Sequence, residues 1–361
     1  MIPVGILGSV LYRFEEGFFA DTLPLQPRTG SLREKIRRRM ELYRLAAKRV
    51  MLPRPGDLLL SPSQFPYAKH SLLAELTFQY GCRIITFVHD LIPIRYPQFN
   101  APGAQASFER WLQGTMRITE SYVCVSRTTQ EDLQEYMRSL EISPSRYRFL
   151  PLHLGCDITP DQTEGGLIRK SVQEIFHGRN SVYLTVSTIE PRKNHALILD
   201  AFEELWKKGS DATLLIIGRI GWEVEDLVDK ILRHPEYGHR FTMLNDVNDT
   251  ELLYCYRRSK AMIFASFTEG FGLPIVEALA SGLPVLASDT SIHREVAGEH
   301  ALYFDPHLPK ELAAILERIE RGSLDPADRL PGRPILPTWE ESTRSLLERL
   351  SALLCEQRES R

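Results

Sequence analysis

Short aliphatic runs alternate with helical patterns from one end of this chain to the other, and that alternation restricts it to few architectures. Strand-like runs fall at 3–7, 57–61, 83–88, 121–125, 147–150, 182–187, 213–217, 240–244, 261–265, 284–287 and 301–304. Helical spacing fills the stretches near 66–79, 103–118, 127–140, 194–208, 222–233, 249–258, 274–282 and 309–320. Continuous apolar strands separated by helices predict an α/β fold with parallel sheets covered on both faces. So many strands strain a single open sheet, and 361 residues exceed one comfortable hydrophobic core, so two sheets are expected. The break is expected at 151–166, PLHLGCDITPDQTEGG, which is rich in Pro, Gly and acids and has no periodicity. A loop at 322–338 with four prolines precedes a last amphipathic helix, WEESTRSLLERLSALL. Domains of 1–160 and 161–336 follow, with a terminal helix within 337–361.

Composition removes several classes of protein. No apolar run approaches the roughly 18 residues of a membrane span. The opening MIPVGILGSVLYRFEEGFF has no basic n-region and meets Glu15 and Glu16 early, which argues against a secretory signal. Cys82, Cys124, Cys156, Cys255 and Cys355 are scattered with no CxxC pair, so reduced cytoplasmic thiols are expected and no zinc site. A net charge of −3 points to no nucleic-acid partner. Charge is concentrated in one place: Arg33, Lys35, Arg37, Arg38, Arg39, Arg44, Lys48 and Arg49 flank Leu32, Ile36, Met40, Tyr43, Ala47 and Val50 at helical spacing. That segment, residues 32–51, reads either as a solvated helix or as a peripheral contact with an anionic membrane.

Three strand ends carry chemistry. In ASFTEGFGLPIVEALASG a strand meets the turn Glu269-Gly270-Phe271-Gly272, and Pro274 is expected to open a helix. Glycines at 270 and 272 permit unusual dihedrals and close backbone approach, and a helix amino end suits a diphosphate. Glu269 and Glu277, expected in the first helical turn, would repel phosphate, so hydroxyl groups are their natural partners. A tight turn with Glu277 stabilising the helix dipole is the plainer alternative. In YLTVSTIEPRKNHALILDAF the strand ends at Ser187, Arg192 and Lys193 follow, and Asn194 is expected to cap the next helix. Two cations at a parallel strand's carboxyl end suit a diphosphate leaving group, although they could equally cap a loop. In RIITFVHDLIPIRYP, His89 and Asp90 follow a buried strand; His89 is either a catalytic residue or a satisfied core histidine.

Together these stretches resemble the retaining GT-B glycosyltransferases of family 4, particularly bacterial mannosyltransferases of O-antigen and capsule assembly. EGFGLPIVE matches the family's E-x7-E motif, and TIEPRKN, HDLIPIRYP and VCVSRTTQEDL resemble its mannosyltransferase branch. The resemblance implies two Rossmann-like domains facing across a cleft, the acceptor side N-terminal, the sugar-nucleotide side C-terminal, and the final helix returning to the first domain. It implies that Glu277 binds ribose, Glu269 the donor sugar, Arg192 and Lys193 the diphosphate, and that His89 lines the reaction centre. Amides of Gly270, Phe271, Gly272 and Leu273 would approach the diphosphate or sugar, and Asn245, Asp246 and Val247 would hold the base. Ser187 stands where many family members carry arginine. The implied reaction moves a hexose, mannose from GDP-mannose first, to a hydroxyl of a glycan or lipid-linked glycan, with retention and with neither metal nor cofactor. Alternatives are a UDP- or dTDP-sugar donor, a sugar-nucleotide epimerase, or a non-catalytic sugar-nucleotide-binding protein.

Overall fold

A computed structural model of the chain describes residues 4–7, 10–13, 55–61, 70–158, 167–178, 181–323 and 334–356. The basic segment 32–51 lies outside these residues. The chain divides into two compact units. One comprises Met1–Phe87, Gly103–Val123 and Ser145–Arg148; the other comprises Val88–Pro102, Cys124–Pro144 and Phe149–Arg361.

Within the first unit, β1 (Val4–Leu7) and β2 (Val10–Arg13) pair antiparallel, Val4 opposite Arg13. β2 is absent from the strands expected from sequence, and β1 joins neither parallel sheet. The two-residue spacing between them, Gly8 and Ser9, is the hairpin signal that marks this pair. A four-stranded sheet has the order β3-β4-β5-β6, formed by β3 (Leu58–Ser61), β4 (Arg83–Val88), β5 (Thr119–Cys124) and β6 (Arg148–Pro151), of which Cys124 and residues 149–151 are assigned to the second unit. β3 and β4 run parallel, with α1 (His70–Tyr80) between them in sequence. Leu59, Leu73, Leu76, Cys82, Ile84 and Ile118 form the core beside them. The last residue of β4 begins a segment that belongs to the second unit and contains α2 (Ile92–Arg95). α3 (Ala104–Thr115) lies in the first unit, and α4 (Arg127–Ser139) in the second.

The second unit is built on six parallel strands: β7 (Val182–Val186), β8 (Thr213–Ile217), β9 (Phe241–Leu244), β10 (Ala261–Phe264), β11 (Val285–Ser288) and β12 (Ala301–Phe304). Their spatial order is β12-β11-β10-β7-β8-β9. The order reverses between β7 and β10, the topological switch point at which doubly wound sheets bind ligands.

Helices cover both faces: α5 (Lys170–Phe176), α6 (His195–Lys207), α7 (Glu225–Leu232), α8 (Asp249–Arg258), α9 (Leu273–Ala280), α10 (Ser291–Ala297) and α11 (Pro309–Glu320). Alternation along β8 assigns its residues to the two faces. Leu214 and Ile216 join Phe202, Leu205, Leu312 and Leu316 on one side, while Leu215 and Ile217 join Val172, Tyr256, Ile275 and Leu279 on the other. Every residue of β8 is buried, which is why after Thr213 it reads in sequence as an apolar run. α5 and α10 have seven residues each, too few for a helical period to show, and neither is expected from sequence. α12 (Trp339–Glu356) docks on residues 151–157 of the same unit: Asp157 accepts from the Trp339 amide at 3.0 Å and the Ser342 hydroxyl donates to the His153 carbonyl.

Candidate active site

The loops after β7 and β10 leave the sheet side by side, and four charged side chains join them. Arg192 donates to Glu190 through Nη2 at 2.6 Å, and through Nη1 to the Thr268 carbonyl at 2.6 Å and to Glu269 at 2.7 Å. Lys193 Nζ lies 2.5 Å from the other Glu269 oxygen and 5.3 Å from the centre of the Phe264 ring. The Phe267 amide donates to the Arg192 carbonyl at 3.0 Å, so backbone and side chains tie the same two loops. The side chains of Arg192, Lys193 and Glu269 are 14%, 11% and 9% exposed, so each charge depends on its partners for compensation. Burial alone would raise the Glu269 carboxyl, but Lys193 and then Arg192 overcome it and hold it at about 2. Two cations and two carboxylates leave the cluster with no net charge. The cations expected at a diphosphate and the Glu269 expected at the donor sugar thus sit in one ion-paired group.

Beyond Glu269 the chain makes its tight turn. A Cβ on Gly270 would lie 2.0 Å from the His89 carbonyl oxygen, so only glycine fits there. Its φ is not positive; the unusual dihedral belongs to Gly272, at +99°. The Gly270 carbonyl accepts from Ser126 Oγ at 2.8 Å and from Thr129 Oγ1 at 3.3 Å, and both side chains are buried. α9 begins at Leu273, one residue before the expected start, and Pro274 occupies its second position. Phe271 is buried against Val125, Cys156 and Val276. The amides of Phe271, Gly272 and Leu273 take no hydrogen-bond partner among the described residues; Gly272 is the N-cap and Leu273 the first residue of α9, where a helix leaves its amides unpaired, and Phe271 precedes the cap.

Glu277 is the fifth residue of α9 and not in its first turn, so stabilisation of the helix dipole does not account for it. Its Oε2 accepts instead from the hydroxyl of Tyr256 at 2.7 Å. Burial raises the Glu277 carboxyl above its ordinary value, and the Tyr256 bond opposes that rise.

His89 is exposed, and its carbonyl accepts from Thr129 Oγ1 at 3.3 Å. The position is a surface one, not a core histidine. Asp90 accepts from the Ile92 amide at 3.0 Å and lies within electrostatic reach of Arg192 and Glu269; burial raises its carboxyl. Ser187 Oγ is 3.1 Å from Nε2 of His195, a ring 1% exposed whose pKa falls to about 3 through burial and then Lys193, which keeps it neutral. Asn194 sits at the expected cap position, but its φ is 56° and its side chain donates to the Pro306 carbonyl rather than accepting from the helix.

At the end of β9, Asn245 and Asp246 are exposed and Val247 packs against the core. Arg169 donates to Asp246 at 2.6 Å and to buried Glu251 at 2.7 Å. Glu251 also closes a capping box with Asn248 at the start of α8. Arg169, Tyr256, Glu190, Ser126 and Thr129 all escape the sequence reading. Glu190 lies inside TIEPRKN, and Ser126 and Thr129 lie inside VCVSRTTQEDL, motifs singled out there without a role for these residues. Asn248 and Glu251 were legible as an Asn-x-x-Glu signature.

The switch-point site brings together two ion-paired cations, the amides before and at the start of α9 and a half-buried carboxylate, groups able to bind phosphate oxygens and hydroxyls. Residues 169–330 match the family described as glycosyl transferases group 1. The serotype-specific mannosyltransferase WbdA of Escherichia coli is 33% identical over 272 residues, covering 73% of this chain and 33% of that protein. This chain thus spans about a third of the length of the WbdA relatives it matches. The O-antigen chain mannosyltransferase B of Escherichia coli is 27% identical, covering 67% of this chain and 62% of its own. Among solved structures, Anabaena HepE in complex with UDP and glucose superposes with a TM-score of 0.61 at 18% identity, covering 90% of this chain and 84% of that one. Sucrose-phosphate synthase from Thermosynechococcus elongatus gives 0.62 at 19% identity, covering 92% and 82%. The fold is GT-B. Residues 169–330 are similar to the group 1 glycosyltransferases.

Proposed function

We propose that this chain transfers a hexose from a nucleoside diphosphate sugar to a hydroxyl of a glycan, with GDP-mannose the first candidate donor. The observation that carries the reading is the Arg192–Lys193–Glu269 cluster at the switch point, beside the open amides of residues 271–273. The names of the mannosyltransferase relatives support mannose and surface-polysaccharide assembly, and a lipid-linked glycan is the acceptor class proposed.

In the proposed reaction the bond from the anomeric carbon to the phosphate oxygen breaks as the acceptor oxygen bonds to the same carbon on the same face. The acceptor's proton passes to the departing phosphate oxygen. Lys193, Arg192 and the α9 amides stabilise the charge that gathers on the diphosphate, the part a metal ion plays elsewhere, so full activity in excess EDTA is expected. Glu277 takes the ribose hydroxyls, Glu269 the transferred sugar, and His89 lines the reaction centre.

A thermal-shift screen with GDP-, UDP-, dTDP- and ADP-sugars tests the donor, because a bound donor raises the melting temperature. GDP-mannose should give the largest shift, and product analysis with a glycan acceptor should show a retained anomer. A larger shift with a UDP- or dTDP-sugar reassigns the base. Isomerisation without acceptor identifies an epimerase, and donor binding with no turnover identifies a binding protein.

A further inference from the structure

Glu277 has one oxygen engaged and one open. Tyr256 Oη donates to Oε2 at 2.7 Å, and Oε1 takes no hydrogen-bond partner among the described residues. Tyr256 is 1% exposed and packs in the core shared by α8, α9 and the sheet, with Cys255, Ile275 and Leu279. A ring fixed by packing on all sides presents its hydroxyl in one place. Burial, and then the adjacent Glu277 charge, drives the phenol well above its usual range, so it remains a donor throughout the working pH of an enzyme. A carboxylate on a helix otherwise turns freely about its last bond, where the rotamer wells are broad.

We propose that Tyr256 is a positioning residue: its hydroxyl fixes the plane of the Glu277 carboxylate so that Oε1 is presented to the ribose hydroxyls of the bound nucleoside diphosphate. This rests on the assignment of Glu277 to the ribose made under Proposed function. The hydroxyl reaches the ligand only through Glu277, so its contribution is confined to the part of the affinity that depends on ribose hydroxyls. Packing by the ring alone would affect every ligand alike.

Calorimetry separates these effects. The ligands are whichever of GDP and UDP the wild type binds more tightly, and its 2′,3′-dideoxy counterpart. Wild-type protein should prefer the ribo form. Tyr256→Phe, which keeps the ring and the core filled, should lose about three- to tenfold in affinity for the ribo form and nothing for the dideoxy form. In a Glu277→Gln background the same change should add less than about twofold, since the two residues act as a unit. Equal wild-type affinities for the two ligands would overturn the ribose assignment itself. A ribo preference that survives intact in Tyr256→Phe overturns the positioning role alone, as does an equal loss on both ligands.

Discussion

Replacing Glu269 by Gln leaves Lys193 without its carboxylate and Arg192 with only Glu190. The cluster then gains one unit of positive charge at the proposed diphosphate position. Affinity for a nucleoside diphosphate is expected to rise by roughly tenfold, the order of one charge-assisted hydrogen bond of about 1.5 kcal/mol. Sugar transfer should fall in the same variant, and weaker nucleotide binding by calorimetry would contradict the role given to the cations. Stability responds in the opposite sense. The Glu269 carboxyl is lowered from 4.5 to about 2 in the folded protein, so the stability it contributes is complete above pH 4.5 and is lost as pH falls toward about 2. The melting-temperature gap between wild type and Glu269→Gln should therefore narrow from about pH 5 to about pH 3; a gap that stays constant would be inconsistent with the pairing. Lys193→Ala should lower turnover by at least roughly a hundredfold with circular dichroism unchanged, and near-normal turnover would remove Lys193 from the mechanism.

At the level of elements, the turn before α9 is held by what fits against it. Gly270→Ala drives a Cβ to 2.0 Å from a backbone oxygen of the loop after β4, and no rotamer relieves a clash with backbone. Its cost should reach about 3 kcal/mol or more. Gly272→Ala meets nothing closer than 3.5 Å and bears only the dihedral strain of a φ of +99°, about 1–2 kcal/mol. Denaturant midpoints for the two variants should fall in that order, and the reverse order would show that the turn is free to move. The strands and long helices were legible because their patterns are local: an apolar run of four, 214–217, marks β8, and helical spacing marks α6. EGFG and EPRKN were legible for the same reason, as strand ends punctuated by Gly and Pro. Tyr256 and Arg169 were not, because their roles depend on Glu277, 21 residues away, and on Asp246, 77 residues away. No spacing rule links such pairs. The first helical turn expected for Glu277 is missed narrowly, since it is the fifth residue of α9, where Tyr256 donates to it.

On the scale of the whole molecule, a doubly wound sheet collects its site from loops that are distant in sequence, so the segment that matches the glycosyl transferases group 1 family is incomplete without residues that precede it. Ser126 and Thr129 hold the Gly270 carbonyl, and Glu295 of α10 accepts from the Arg127 amide at 2.6 Å and the Thr128 amide at 2.8 Å, capping α4. The Arg127–Glu295 pair is separated by 168 positions. On a ribosome adding roughly 5–20 residues per second, the amino end of α4 emerges on the order of 10–30 s before its partner has been made. During that interval the Thr129 amide has its local cap in Ser126, but the Arg127 and Thr128 amides have only water or a chaperone to satisfy them, and the final docking of α4 is a late, long-range event in biogenesis. A slowly translated message therefore prolongs the period in which this surface is exposed to other nascent chains, whereas refolding of the complete polypeptide from denaturant imposes no such delay.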